Sequence, residues 1–85
     1  MKEFRYQIQD EVGMHARPAR LLVLEAQKYT STIQILHRDK SANATQLMKL
    51  MSLGIKHSDV ITVSVEGSDE EIACSQLQEF FQENL

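Results

Sequence analysis

The sequence predicts an α+β open-faced sandwich, in which helices cover one face of an antiparallel or mixed sheet and the other face meets water. Four segments alternate apolar and polar residues with the period of two that is typical of half-buried strands. Three further segments repeat apolar residues at helical spacing. The predicted order is strand, helix, strand, strand, helix, strand, helix. Because each strand has one apolar face, the sheet needs helices on one side only.

The first strand is predicted from apolar residues that alternate with polar ones: Phe4, Tyr6 and Ile8. The first helix is expected from about Ala16 to Tyr29, with Pro18 in its first turn, where a missing N–H costs little. Its apolar stripe consists of Ala19, Leu22, Val23, Ala26 and Thr30.

Residues 31–37 predict the second strand, and residues 39–43 return as a short third strand. A short helix is expected over residues 45–54, closed by Gly54 at a position that often needs left-handed backbone. The clearest strand covers residues 59–66. The inward residues of the second and fourth strands are Ile33, Ile35, Ile61, Val63 and Val65.

The last helix begins after the fourth strand. Ser68 and Glu71 have the spacing of a capping box, and the acidic start suits the helix dipole. The buried side of this helix is expected to consist of Ile72, Ala73, Leu77, Phe80 and Phe81.

Length and composition limit the kind of protein. The chain has 85 residues, which suits one domain over residues 1–85 with a modest core. Its single cysteine, Cys74, excludes an intramolecular disulfide and is expected in or beside the core. No apolar run approaches the roughly 20 residues that span a bilayer, and the first ten residues lack the apolar core of a secretory signal. We expect a cytoplasmic protein that does not insert into membranes.

Charge is unevenly distributed along the chain, whose net charge is −3. Residues 1–40 hold seven Lys and Arg against five Asp and Glu, whereas residues 41–85 hold two against seven. A net acidic chain is not expected to bind nucleic acid. The basic half can still form a local anion site.

The segment GMHARPAR, residues 13–20, places positive charge at a helix start. First turns favour Asp and Glu, because the N-terminal end of the helix dipole is positive. Here Arg17 and Arg20 occur instead. In one interpretation both arginines point into water and are screened. In the other an anion binds, because free N–H groups, the dipole and a guanidinium together form a phosphate site.

His15 adds a nucleophile at the same point, since a histidine side chain is substantially neutral near pH 7. His15 is therefore the candidate for a transient phosphohistidine, with Ala16 and Arg17 as candidate phosphate-binding residues. His37 and His57 are expected to be solvated surface groups. The sequence has no tight metal-ligand spacing and no Gly-rich phosphate motif, so neither a metal nor a cofactor is expected.

Two segments, GMHARPA and MKLMSLGIKHSDVITVSVEG, together with the spacing between them, resemble the HPr family of histidine phosphocarriers of the bacterial sugar phosphotransferase system. The resemblance implies a four-stranded sheet in the order 1-4-2-3 with three helices on one face. It implies that His15 accepts a phosphoryl group on Nδ1 from phosphorylated enzyme I and donates it to IIA domains of sugar permeases. Arg17 matches the arginine that meets the phosphoryl group. Such a protein is a covalent carrier and not an enzyme.

One position departs from the family pattern. In many members a serine starts the second helix and is phosphorylated by a regulatory kinase. Here Gln46 occurs at that position and has no hydroxyl, while Thr45 is displaced by one residue. Regulation by that kinase is therefore not expected.

The short second helix is rich in apolar residues, although a helix of this length buries only one side. In one interpretation all of them pack on the core or are scattered apolar residues of the surface. In the other, which the resemblance favours, some form an apolar patch beside His15 that binds both enzyme I and IIA domains. The predicted partner-binding residues are Arg20, Leu47, Met48, Lys49 and Met51.

Two other functions stay open at this stage. The chain can serve a non-sugar phosphorelay, because the chemistry would be the same. It can also be a regulatory module that binds partners without turnover, although such a module would not need His15 together with Arg17. In either case we expect a monomer.

Overall fold

The computed structural model describes all residues, Met1–Leu85, and contains four strands and three helices. The elements in chain order are β1 (Lys2–Gln7), α1 (Ala16–Ala26), β2 (Thr32–His37), β3 (Lys40–Asn43), α2 (Leu47–Ser52), β4 (Val60–Glu66) and α3 (Glu70–Asn84). The predicted order of elements is confirmed. None of the helices combines the length and the apolar character that crossing a membrane requires.

The four strands form one sheet in the order β1-β4-β2-β3, and every neighbouring pair is antiparallel. Val63 in the middle of β4 lies opposite Phe4 on one side and Ile35 on the other. The predicted strand order is therefore confirmed, and of the two sheet types expected the antiparallel one occurs. Because β1 and β2 both run antiparallel to β4, they run in the same direction on either side of it.

One face of the sheet is apolar and covered by the helices. Its inward residues in β2 and β4 are almost fully buried, as predicted: Ile33, Ile35, Ile61, Val63 and Val65. The helices contribute further fully buried side chains to the same core, among them Ala19, Leu22, Leu50, Leu77 and Phe81. The opposite face carries polar residues such as Gln34 and Ser64 and is not covered.

The first strand is half-buried, as predicted, and Ile8 directly after it is fully buried. Phe4 and Tyr6 are only partly buried and pack around Phe81, with ring centroids 5.9 Å and 5.4 Å from the Phe81 ring. The Tyr6 hydroxyl donates a hydrogen bond to the Phe81 carbonyl oxygen over 2.9 Å. Since β1 lies at the edge of the sheet, these rings close the side of the core between β1 and α3.

Helix α1 ends at Ala26, three residues before the predicted end at Tyr29. The N–H groups of Lys28 and Tyr29 bond carbonyls three residues earlier, which tightens the chain into a turn. The Tyr29 hydroxyl then reaches Glu25 and Gln76. Burial, reinforced by the hydrogen bond to Glu25, raises the pKa of Tyr29 to about 12. Tyr29 therefore joins α1 to α3 instead of extending α1.

The predicted capping box at the start of α3 is wrong. Asp69 occupies the N-cap position, and its carboxylate accepts hydrogen bonds from the N–H groups of Thr30 and Ser31 and from the Ser31 hydroxyl. These bonds, that of the Ser31 hydroxyl above all, hold the pKa of Asp69 below its ordinary value. Glu70 bonds the Gly67 N–H over 3.1 Å. The acidic start of α3 thus holds both its own preceding turn and the segment between α1 and β2 in place.

The predicted burial of Ile72 is also wrong, because its side chain is 61% exposed. The buried positions of α3 are Ala73, Cys74, Leu77 and Phe81. These positions define the inward stripe of α3, and Ile72 lies outside it. The expectation that Cys74 lies in or beside the core is confirmed.

His37 is buried, contrary to the prediction that it is a solvated surface group. It is 5% exposed and continues the inward alternation of Ile33 and Ile35. Its Nδ1 lies 2.9 Å from the Leu53 carbonyl oxygen, and its Nε2 lies 2.9 Å from Asp59 Oδ2. His37 therefore ties the end of β2 to the loop between α2 and β4.

We predict that Asp59 stabilises the fold at neutral pH and loses this effect in acid. The Lys56 N–H bonded to its carboxylate, helped by His37, holds the pKa of Asp59 below its ordinary value. A lowered folded-state pKa contributes stability that is present above the unfolded value, about 3.9, and is lost as pH falls through the folded value. In urea titrations, Asp59→Asn should lower the unfolding free energy more at pH 6 than below pH 3. The exposed Asp39→Asn is the control, and an equal loss at both pH values would contradict the prediction.

Candidate functional site

The loop between β1 and α1 lies against the backbone of the segment between α2 and β4. The Met14 N–H donates to the Ile55 carbonyl oxygen over 3.1 Å, and the Gly13 N–H closes a turn on the Asp10 carbonyl over 3.1 Å. Gly13 has a φ of +82°, and a Cβ there would lie 2.5 Å from the Ile55 carbonyl oxygen. Only glycine satisfies both conditions. The backbone next to His15 is thereby fixed against the rest of the fold.

His15 occupies the N-cap position of α1 with an extended backbone, φ −91° and ψ −176°. Its side chain does not cap the helix and is 39% exposed. Serine, threonine, aspartate or asparagine is usual at an N-cap, because those side chains bond the first N–H groups. With histidine here, the helix start stays open toward solvent.

The first turn of α1 keeps two backbone N–H groups without a hydrogen-bond partner, those of Ala16 and Arg17. Pro18 has no N–H, and the Ala19 N–H donates to the His15 carbonyl over 3.0 Å. Both free groups sit at the positive end of the helix dipole. They can donate to an anion held beside the imidazole.

Arginine side chains add charge to this open helix start. Arg17 and Arg20 are exposed, and neither has a carboxylate oxygen within 4 Å. Helix α1 has no acidic residue in its first turn, whereas α3 has Glu70 and Glu71. The contrast between the two helix starts that the sequence indicates is therefore present in the structure, and neither arginine has an ion-pair partner within the chain.

A shallow cleft lies at His15, between the first turn of α1 and the end of α3. Its lining comprises Asp10, His15, Arg17, Pro18, Leu21, Glu83 and Asn84. Asp10 Oδ1 lies 3.7 Å from His15 Nε2. Sequence reasoning missed Asp10, although its position three residues before Gly13 in the turn DEVG gave a signal that its side chain would be held near the histidine.

The second helix presents part of its apolar side to solvent. Met48 is 75% exposed and Met51 is partly exposed, whereas Leu47 is half-buried and Leu50 is fully buried. Packing of all four on the core is therefore excluded, whereas exposed apolar residues, which both interpretations allow, are present. Lys49 is exposed between them. Because α2 packs against α1, these side chains lie on the helix next to the one that begins at His15.

The start of α2 carries no hydroxyl side chain at its N-cap, which is Gln46. The Gln46 side chain does not cap the helix. The preceding Thr45 hydroxyl donates to Asn43 Oδ1 over 2.7 Å and is used within the loop. No three His, Cys, Asp or Glu side chains are grouped so as to hold a metal ion.

A protein-family model matches the chain over nearly its whole length: the model of the PTS HPr component phosphorylation site, over residues 2–83. The phosphocarrier protein HPr of Mycoplasma genitalium is 40% identical over 85 residues, 99% of this chain and 97% of that protein. That of Buchnera aphidicola is 48% identical over 68 residues, 80% of each chain. The crystal structure of HPr from Thermoanaerobacter tengcongensis has a TM-score of 0.93 at 39% identity, covering 99% of this chain and 94% of that one.

The fold, the open helix start and these matches together define the class of protein. It is a phosphocarrier, which partners modify and restore, and not an enzyme. The chain belongs to the HPr family of the phosphotransferase system. A related structure, an HPr dimer from Thermoanaerobacter tengcongensis, has a TM-score of 0.77 at 40% identity, covering 98% of this chain and 95% of that one. The monomer expected from the sequence is therefore not established by its relatives.

We predict that Gly13→Ala destabilises the fold more than Gly54→Ala. Both glycines have positive φ, which costs a non-glycine residue about 1–2 kcal/mol. A Cβ at Gly54 meets nothing within 4 Å, whereas one at Gly13 meets the backbone of Ile55 and Lys56. Overpacking adds about 1–3 kcal/mol at Gly13. Urea titration of both variants measures the loss of unfolding free energy. Equal losses would contradict the close approach of the Gly13 backbone to that of Ile55 and Lys56.

Proposed function

We propose that His15 accepts a phosphoryl group from phosphorylated enzyme I and donates it to IIA domains of sugar permeases. The observation that carries the proposal is the half-exposed His15 imidazole at a helix start with two free N–H groups and an arginine without a carboxylate partner. Membership of the HPr family supports it. A non-sugar relay would use the same site with another acceptor.

The proposal gives each neighbouring group a part in the transfer. The lone pair on Nδ1 of His15 forms the bond to phosphorus as the bond to enzyme I breaks, and the reverse exchange delivers the group to the IIA domain. The N–H groups of Ala16 and Arg17 stabilise the phosphoryl oxygens, together with the dipole of α1. The Arg17 guanidinium stays protonated and supplies a fork of donors, so its part is charge stabilisation and not proton transfer.

Partner docking is proposed on the exposed side of α2 and the adjoining part of α1. Methionine suits a surface that fits more than one partner, because its side chain is flexible and polarizable. Met48 and Met51, with part of Leu47, provide the apolar contact. The cations Arg20 and Lys49 steer acidic partners, so association weakens as salt rises. Residues 1–85 would act as one monomeric domain in the cytoplasm.

The regulatory kinase of the family would find no acceptor at Gln46. An amide side chain has no hydroxyl, and the Thr45 hydroxyl one residue earlier is already bonded to Asn43. We therefore propose that the carrier is not switched by phosphorylation at the start of α2.

The decisive experiment incubates the protein with enzyme I and labelled phosphoenolpyruvate. The wild type should gain acid-labile, alkali-stable label, and His15→Ala should gain none while keeping its unfolding free energy. Arg17→Ala should accept label about ten- to hundredfold more slowly, as expected for the loss of a charge-assisted contact. Labelling of His15→Ala at the wild-type rate would disprove the assignment, and an unlabelled wild type would favour the binding module.

We predict that Met48→Glu weakens docking without unfolding the protein. Met48 is exposed, so the unfolding free energy should change by about 0.5 kcal/mol or less. The apparent KM of this protein with enzyme I should rise about tenfold, since a charge replaces an apolar contact. Leu50→Ala is the matched control in the same helix and should cost about 2–5 kcal/mol of stability. An unchanged KM for Met48→Glu would remove this residue from the interface.

A further inference from the structure

Asp10 is held firmly beside the His15 ring. Its Oδ1 accepts the Val12 N–H over 2.8 Å, and its own N–H donates to the Leu85 carbonyl oxygen over 2.9 Å. Its carbonyl oxygen accepts the Gly13 N–H and lies 3.2 Å from His57 Nδ1. These bonds anchor both the backbone and the carboxylate. In the contact of 3.7 Å between Asp10 Oδ1 and His15 Nε2, the carboxylate is therefore held in place from its own side.

The carboxylate faces only one of the two ring nitrogens. At 3.7 Å the contact is electrostatic and too long for a direct hydrogen bond. A negative charge beside Nε2 favours the tautomer with its proton on Nε2, which leaves the lone pair on Nδ1. Two other charged groups line the cleft, Arg17 and Glu83, and neither forms an ion pair with the ring.

We propose that Asp10 is a positioning residue for phosphoryl transfer, a role that rests on the function proposed for His15. Its carboxylate keeps the proton on Nε2, so that Nδ1 presents its lone pair to phosphorus. When the Nδ1–P bond forms and the bond to the donor breaks, no proton leaves the ring. The imidazole ring then carries a positive charge, and the carboxylate beside Nε2–H stabilises it. Asp10 thus acts on the Nε2 side of the imidazole ring, whereas Arg17 and the helix start act on the phosphoryl oxygens at Nδ1.

Asp10→Asn isolates the charge, because an asparagine Oδ1 still accepts the Val12 N–H and preserves the turn. Glu83→Gln is the matched control, since it removes a carboxylate of the same cleft that makes no ion pair with His15. The first measurement is the ¹⁵N chemical shifts of the histidine rings in the unphosphorylated proteins near pH 8, with His15 assigned from its absence in His15→Ala. The wild type and Glu83→Gln should show mainly the tautomer protonated on Nε2. Asp10→Asn should shift the ratio toward the other tautomer about two- to fivefold, the range of an exposed charge pair.

The second measurement is the rate of labelling from enzyme I and phosphoenolpyruvate. Asp10→Asn should slow it about two- to fivefold, and Glu83→Gln should leave it unchanged. An unchanged tautomer ratio in Asp10→Asn, or a changed ratio with an unchanged rate, overturns the role of Asp10. An equal effect of Glu83→Gln overturns it as well. Failure of the wild type to accept label would instead reject the function proposed for His15. The two failures can be told apart, because the tautomer measurement uses the unphosphorylated protein and does not depend on labelling.

Discussion

The arrangement at His15 depends on the contact between two loops, residues 8–15 and residues 53–59. Ile8 and Met14 both bond the second loop through their backbones, and Gly13 allows the chains to approach without a side chain between them. The second loop is in turn held to the sheet by Asp59, through His37 at the end of β2. A series of backbone hydrogen bonds and one partly buried polar pair, His37 and Asp59, therefore connects the helix start to the sheet. The site is rigid because its support is mostly main chain.

The open helix start lowers the stability of α1, and interactions elsewhere in the chain offset this loss. A helix that begins with two arginines and a histidine gives up the stabilisation that acidic first turns provide. Helix α3 uses that device, and its Asp69 and Glu70 also tie down neighbouring loops. The stabilising acidic groups are thus placed away from the functional end, and the unpaired positive charge is concentrated at it.

Much of this architecture could be predicted from the sequence, because period-two and helical patterns report directly on which side of an element is buried. The pattern failed where a polar residue took part in the core. His37 continues the inward positions of β2, but its partners Leu53 and Asp59 lie 16 and 22 residues away, and only the folded chain brings them together. Asp10 was missed although it lies in the local turn before Gly13, because the sequence does not show that the bond to the distant Leu85 also holds it there. The burial of Ile72 was predicted wrongly, because being apolar does not by itself place a residue on the buried side of a helix.

The half-exposed ring of His15 would limit the lifetime of a phosphoryl group bound to it. A phosphoryl group on this imidazole would lie at the surface, where water can attack it, and the shallow cleft offers no lid to exclude water. The loaded carrier would therefore have a finite lifetime between leaving one partner and meeting the next. Electrostatic steering would speed the association with the next partner and so shorten this interval. The same openness that would let two different proteins reach the histidine would make rapid delivery necessary.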